Sequence, residues 1–194
     1  MIHLEAALKG AETIRAALKK AQDEKAKALS TSIKVEAFRL SKILKDEIRS
    51  GAPGGNTFRP LTFLARRKAK STRPNKPLAK LALPVRYDVT NQSPFTVAIG
   101  WTNKVSSSWK QIAERQQEGF ESRVTDRRRR FFRHKADDLS ARSPNRKFLF
   151  LRDQTTELST PARPIIEPFY KAHQFEAWEK IRSNFRRKMR GEKI

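Results

Sequence analysis

Three histidines, a pair of adjacent aspartates and a run of arginines beside two phenylalanines are the residues of this chain whose types could do chemistry. His3 is close to the N-terminus, His134 lies inside a basic run, and His173 falls on an apolar stripe, where a packed or hydrogen-bonded histidine is the expected role. Asp137-Asp138, together with Glu176 and Glu179, are the carboxylates nearest to what a Mg²⁺-dependent nuclease would need. Such a site draws its ligands from different elements around the ion. Glu176 and Glu179 are instead three residues apart on one helix face, which is ordinary solvated patterning. The metalloprotease HExxH, the phosphate-cradling GxxxxGK[ST], the GxSxG elbow and the dinucleotide-binding GxGxxG are all missing. The chain is therefore expected not to be an enzyme and to use no cofactor or metal.

The cationic segments carry more weight. Arg127, Arg128, Arg129 and Arg130 precede Phe131 and Phe132, placing guanidinium groups beside aromatic rings, a combination that contacts phosphates and stacks. Arg66, Arg67 and Lys68 form a second cluster, and Arg186, Arg187 and Lys188 a third. These ten cations are the candidate contacts for a polyanion or an acidic protein partner. Reading a base sequence would need a groove-entering helix of recognised type, which is absent, so any DNA contact is expected to be backbone-directed. A solvated face, or a salt-bridged contact with an acidic neighbour, accounts for the same residues about as well. At the end of the last helix, cations also suit the helix dipole.

Composition sets the frame for these clusters. The 194 residues include 43 Lys+Arg against 20 Asp+Glu, a formal net charge of +23. Self-repulsion on that scale opposes compactness until a polyanion or an acidic surface offsets it. With 37% hydrophobic residues and a mean hydropathy of −0.74, one compact body with much solvated or partner-covered surface is expected. There is no cysteine, which removes disulfides and thiolate chemistry. No apolar run approaches a membrane span or a secretory leader, so the chain reads as soluble, unexported and without a membrane partner.

The elements that must position these residues form an α+β layout: N-terminal helices, a small antiparallel sheet with a hairpin, and a long C-terminal amphipathic helix, with an extended basic loop between. Residues 1–50 are an N-terminal helical region, 51–80 an extended basic arm, and 81–194 an α+β body, all within a single domain. Leu4, Leu8, Ala11, Ile14 and Leu18 make one apolar stripe; Ile33, Ala37, Leu40, Leu44 and Ile48 make a second. The stretch Leu29-Ser30-Thr31-Ser32 is expected to be a joint between two helices, with Ser32 as N-cap. Gly51, Pro53, Gly54 and Gly55 end the helical region. Nine Lys/Arg against one acid lie between residues 51 and 90. Phe58, Leu61, Phe63 and Leu64 sit in that stretch, and a plain linker would not need them, so they are candidate subunit-interface residues of an arm that orders on a partner. Val85–Val89 and Phe95–Trp101 alternate as a hairpin about Asn91–Pro94. A short helix is expected through Trp109, Ile112 and Ala113, closing at Gly119. Residues 123–160 are ambiguous, with 147–151 a possible strand. The last helix follows Pro161 and Pro164, with a stripe of Phe169, His173, Trp178, Ile181, Phe185 and Met189.

Taken in order, several segments resemble the virion-morphogenesis and tail-completion proteins of tailed bacteriophages, including the minor-tail-protein-Z type. After the helical region and Gly51–Gly55, Phe58-Arg59-Pro60-Leu61-Thr62 is similar to that family's Gly/aromatic/Pro-Leu-Thr stretch. Lys76–Leu81 stands where its short pre-hairpin segment lies, with Pro77 in place of a glycine. Val97-Ala98-Ile99-Gly100 looks like its Val-x-Val-Gly strand. The stretch Ile112–Phe120 resembles its Tyr-Ala-x-x-His-Gln-x-Gly helix, with Gln116 where histidine is usual, and Arg163–Pro168 resembles the Arg-Pro-Phe-Leu start of its last helix. The resemblance implies a structural virion protein of the neck or tail, present in host cytoplasm during assembly and forming a homo-oligomeric ring at the head–tail interface. Its neighbours would be tail-tube, tail-terminator or head–tail connector subunits, with packaged duplex DNA as a further partner. The competing expectation is a sequence-independent nucleic-acid-binding protein.

Overall fold

The computed structural model describes residues 2–58, 78–90, 96–143, 146–149 and 151–194. The chain is α+β. Helix α1 spans Ile2–Ser50, followed by a 3-10 turn at Pro53–Gly55 and another at Ala79–Ala82. Strands β1 (Arg86–Thr90) and β2 (Thr96–Gly100) come next, then α2 (Ser107–Glu118), β3 (Phe120–Arg123) and α3 (Asp126–Asp137). A 3-10 turn at Arg146–Leu149, strand β4 (Glu157–Thr160) and helix α4 (Ile166–Met189) complete the order. Two separate antiparallel pairs form, β1 with β2 and β3 with β4. In the first, Asp88 faces Ala98 and Arg86 faces Gly100; in the second, Phe120 faces Thr160.

The expected joint in the N-terminal region does not exist. The 49 residues of α1 form one helix, about 70 Å long at 1.5 Å per residue. Thr31 Oγ1 donates to Lys27 O and Ser32 Oγ to Ala28 O, both at 2.8 Å. Each hydroxyl is thereby satisfied inside the helix, and with no proline or glycine in the stretch nothing interrupts it. Ser32 is a fully buried helix-interior residue, not a cap. The amides of Gly51 and Ala52 return to Glu47 O at 2.9 and 3.1 Å, closing the C-terminus.

The second apolar stripe of α1 is the spine of the core. Leu44 and Ile48 are fully buried and Ala37 nearly so. Leu44 and Ile48 pack with Phe58, Leu78, Leu81, Val85, Ala113, Ile165 and Phe169. Phe58 was expected to serve an arm reaching other subunits, but it lies inside the protomer's own core, held by its amide donating to Gly51 O at 2.9 Å. The first stripe behaves differently. Residues 12–27 are all exposed, with Ile14 and Leu18 at 62% and 61%. The periodicity there is helical, but no described part of the chain covers it.

The ambiguous stretch resolves into α3, a 3-10 turn and β4. Residues 146–149 take the 3-10 turn where a strand was a possibility, and the strand forms later, at β4, where Glu157–Thr160 alternates in exposure against β3. Thr125 caps α3, its hydroxyl accepting from the Arg128 amide at 3.3 Å. The proposed turn Asn91–Pro94 lies outside the described residues, but the strands on either side pair in the expected antiparallel sense.

Helices α1 and α4 run antiparallel, since Glu47 meets His173 whereas Arg39 meets Glu176. Glu47 fixes their crossing. Its Oε1 lies 2.6 Å from His173 Nε2, and its Oε2 accepts from the Gly54 amide at 2.7 Å. Gly54 has φ +59, and a Cβ placed on it would come within 2.2 Å of Pro168 O. Gly55 also has positive φ (+79), with nothing within 4 Å of its Cβ position. Gly54→Ala is therefore expected to cost at least about 2 kcal/mol, through strain and displacement of the start of α4. Gly55→Ala should cost only the backbone preference, about 1 kcal/mol. Urea denaturation of the two variants beside the parent measures the difference, and equal losses would contradict the close approach.

Candidate assembly surfaces

Two kinds of surface stand out, an apolar groove and a set of exposed cations. The groove lies where the antiparallel seam of α1 and α4 opens beside β2, and it encloses about 570 Å³. Ile33, Ala37 and Leu40 form the α1 wall, Val97 and Ile99 the β2 wall, and Tyr170, Trp178 and Ile181 line the α4 side. Its rim is open: Tyr170 is 63% exposed and Trp178 65%. Trp178 was expected on the packed stripe of the last helix. At about 100° per residue it lies half a turn around from Phe169, so the seam passes it by. Phe169 is buried, His173, Ile181 and Phe185 are half-buried, and Met189 is exposed. Phe175, on the opposite side, is 78% exposed.

Along the groove floor lies a buried acid. Glu36 is 2% exposed and is met by Arg39, whose Nε lies 2.9 Å from Oε2 and whose Nη2 lies 2.6 Å from Oε1. Arg39 Nη1 continues to Glu176 at 3.1 Å, so one guanidinium joins both helices. The Glu36 carboxylate raises the Arg39 pKa above its ordinary value, chiefly by hydrogen bonding and against the opposing effect of burial. Beside this network, the His173 ring sits 4.6 Å from that of Phe169. The sequence pattern identified the stripe that carries His173 but not the carboxylate it meets, because Glu47 is 126 residues away along the chain.

The arginine run of α3 is not one patch. On the helix α3 the four consecutive arginines point in four directions, 100° apart. Two of them serve the fold. Arg128 Nη1 donates to Arg123 O at 3.0 Å. Arg129 donates to the carbonyls of Arg152, Asp153 and Thr155 at 2.7–2.9 Å, fastening the loop that leads into β4. Arg127 and Arg130, three residues apart, share an exposed face. Phe131 and Phe132 meet edge to face, with centroids 5.9 Å apart, while Phe131 stays 39% exposed. At the end of α4, Arg187 turns back to Glu192 at 3.0 Å and to Lys193 O at 2.9 Å, whereas Arg186 and Lys188 are exposed. The remaining predicted site residues, Leu61, Phe63, Leu64, Arg66, Arg67 and Lys68, lie outside the described residues.

Among the described residues no group of three or more His, Asp or Glu is placed to hold a metal ion. Asp138 pairs with Lys135, and Asp137 lies 3.7 Å from Arg146. No described helix is long and apolar enough to cross a membrane. No protein-family model matches the chain, and neither a curated protein nor a solved structure is detectably similar to it.

Two outcomes follow from these contacts. Arg39→Met leaves Glu36 buried without its partner and is expected to cost about 2–4 kcal/mol, whereas Glu36→Met with Arg39→Met together should recover most of that loss. Equal destabilisation by the single and double variants would show that Glu36 does not depend on Arg39. Separately, Arg129→Gln should cost about 1–3 kcal/mol by stranding loop carbonyls, while Arg130→Gln stays within about 0.5 kcal/mol of the parent. Both remove one positive charge, so thermal melts separate a structural arginine from a surface one.

Proposed function

We propose that this chain is a non-enzymatic assembly subunit, a tail-completion or neck component of a tailed phage virion that works in a ring of its own copies between tail and connector proteins. The observation that carries this reading is the exposed stretch 12–27 of α1. A helical segment that stays exposed for about 24 Å before Ala28, with Ile14 and Leu18 on it, is an element that gains its burial from another molecule. The open groove beside β2 is a second surface of the same kind.

The order of the segments that resemble the tail-completion family supports the reading further, because two of them are in contact. Arg163 donates its amide to Gln116 O at 2.8 Å and its Nη1 lies 3.3 Å from Gln116 Oε1, while Gln117 Oε1 accepts from the Ile166 amide at 3.1 Å. Arg163 is 7% exposed, and burial lowers its pKa from the ordinary guanidinium value. Thus the Gln-Gln pair of α2 and the Arg-Pro start of α4 form one structural unit, although about 45 residues separate them in sequence.

The exposed cations Arg127, Arg130, Arg186 and Lys188 fit acidic neighbouring subunits or enclosed duplex DNA equally well, in both cases without base readout. Deleting the gene from the phage genome that encodes it, and imaging the lysate by electron microscopy, tests the proposal. Heads and tails that fail to join are the expected result, and normal particles at full yield would overturn it. Binding of the purified chain to free duplex DNA, weakening steeply with salt, would favour the nucleic-acid-binding alternative instead.

A further inference from the structure

Among the described residues, two apolar surfaces of opposite shape are left without a partner. One is convex, the exposed stripe of α1 marked by Ile14 and Leu18. The other is concave, the groove between α1, β2 and α4 with Val97, Tyr170 and Trp178 at its rim. Within one molecule they cannot meet. Ile33, the nearest groove residue on α1, follows Leu18 on the same unbroken helix, about 22 Å further along its axis. A stiff helix cannot fold its own tip back onto its own flank.

Charge points to the same pairing. The whole chain is +23, but residues 1–27 carry six cations and four acids. The groove lining holds no Lys or Arg and one acid, Glu36, and the elements that bear it are balanced: four cations against three acids along residues 28–48, two against three along residues 166–181, and none on β2. The large positive excess therefore lies outside both apolar surfaces. Two copies of a strongly basic chain repel one another almost everywhere, and these are the regions where they can approach at least cost.

We infer that the tip of α1, centred on Ile14 and Leu18, docks in the α1–β2–α4 groove of a second copy of this chain. The inference rests on the assembly reading above and supplies its subunit contact. Donor and acceptor surfaces differ, so the interface is heterologous: each copy offers one of each, and association continues until the assembly closes on itself. A seam already exists to continue into. Ala28 and Ser32 are buried on the face of α1 that also carries Ile14, and a second copy extends that burial toward the N-terminus.

The absence of cysteine makes the test direct. Full-length Leu18→Cys and Val97→Cys chains are prepared separately, mixed, and treated with a short bismaleimide. The mixture should give a crosslinked dimer containing one of each variant, at several times the yield of either variant alone. Crosslinking of Leu18→Cys only to itself would mean a tip-to-tip coiled coil and overturn the proposal, as would a chain that sediments as a monomer at every concentration. Leu18→Glu, at an exposed position beyond the folded body, should weaken self-association at least about tenfold while leaving the thermal melt of the dilute, dissociated chain unchanged. Association unaffected by that change would also overturn it. Failure here with unjoined heads and tails after gene deletion would reject the contact alone; success here with normal particles would reject the virion role alone.

Discussion

One carboxylate holds the architecture together. Glu47 meets His173 on α4 with one oxygen and the Gly54 amide with the other, so the last turn of α1, the chain reversal that follows it and the first turns of the C-terminal helix share a single anchor. Half-buried acids gain little from an isolated surface pair, but here hydrogen bonding to a backbone donor and packing of His173 against Phe169 restrict the geometry from three sides. Core residues Leu44, Ile48, Ile165 and Phe169 lie around that anchor, and the hairpin closes over it through Val85 and the half-buried Ile99. The seam between the two long helices runs out from this point, tied again at Arg39.

A chain of net charge +23 folds because its cations are used or dispersed. Arg39 neutralises two acids at once, Arg128 and Arg129 bind carbonyl oxygens, Arg187 folds back on Glu192, and Lys104 Nζ lies 2.7 Å from Asp88, holding that carboxyl below the usual carboxylate range. What looks in sequence like four interchangeable arginines is, in the folded chain, two fasteners and two surface charges. The same distinction limits how far a basic run can be taken as a polyanion site.

Much of the fold was legible because its signals are local. The second stripe of α1, the alternating hairpin strands, the helix after Ser106 and the Pro-flanked start of α4 each follow from spacing and turn residues within a few positions. The joint at Leu29–Ser32 was misplaced because serine and threonine favour caps and also bond back to the helix that contains them, and only the surroundings decide which occurs. Strand β4 was missed because its four residues gain their pairing from β3, more than 30 residues earlier. Phe58 was assigned to a reaching arm because composition cannot tell a ring that turns inward from one that turns outward. For the same reason the groove was invisible: a hydrophobic period shows that a face is apolar, and says nothing about whether the protein itself covers it.

The continuous helix has a further mechanical consequence. Because the described residues of α1 are buried only from Ala28 onward, the helix before it acts as a lever, and a tilt of about 1° at the grip moves a point about 40 Å away by about 0.7 Å. Placing a side chain at the far end within packing tolerance therefore demands angular precision at the base. That precision is set where Glu47 and Arg39 lock the two long helices, far from the residues whose position it controls.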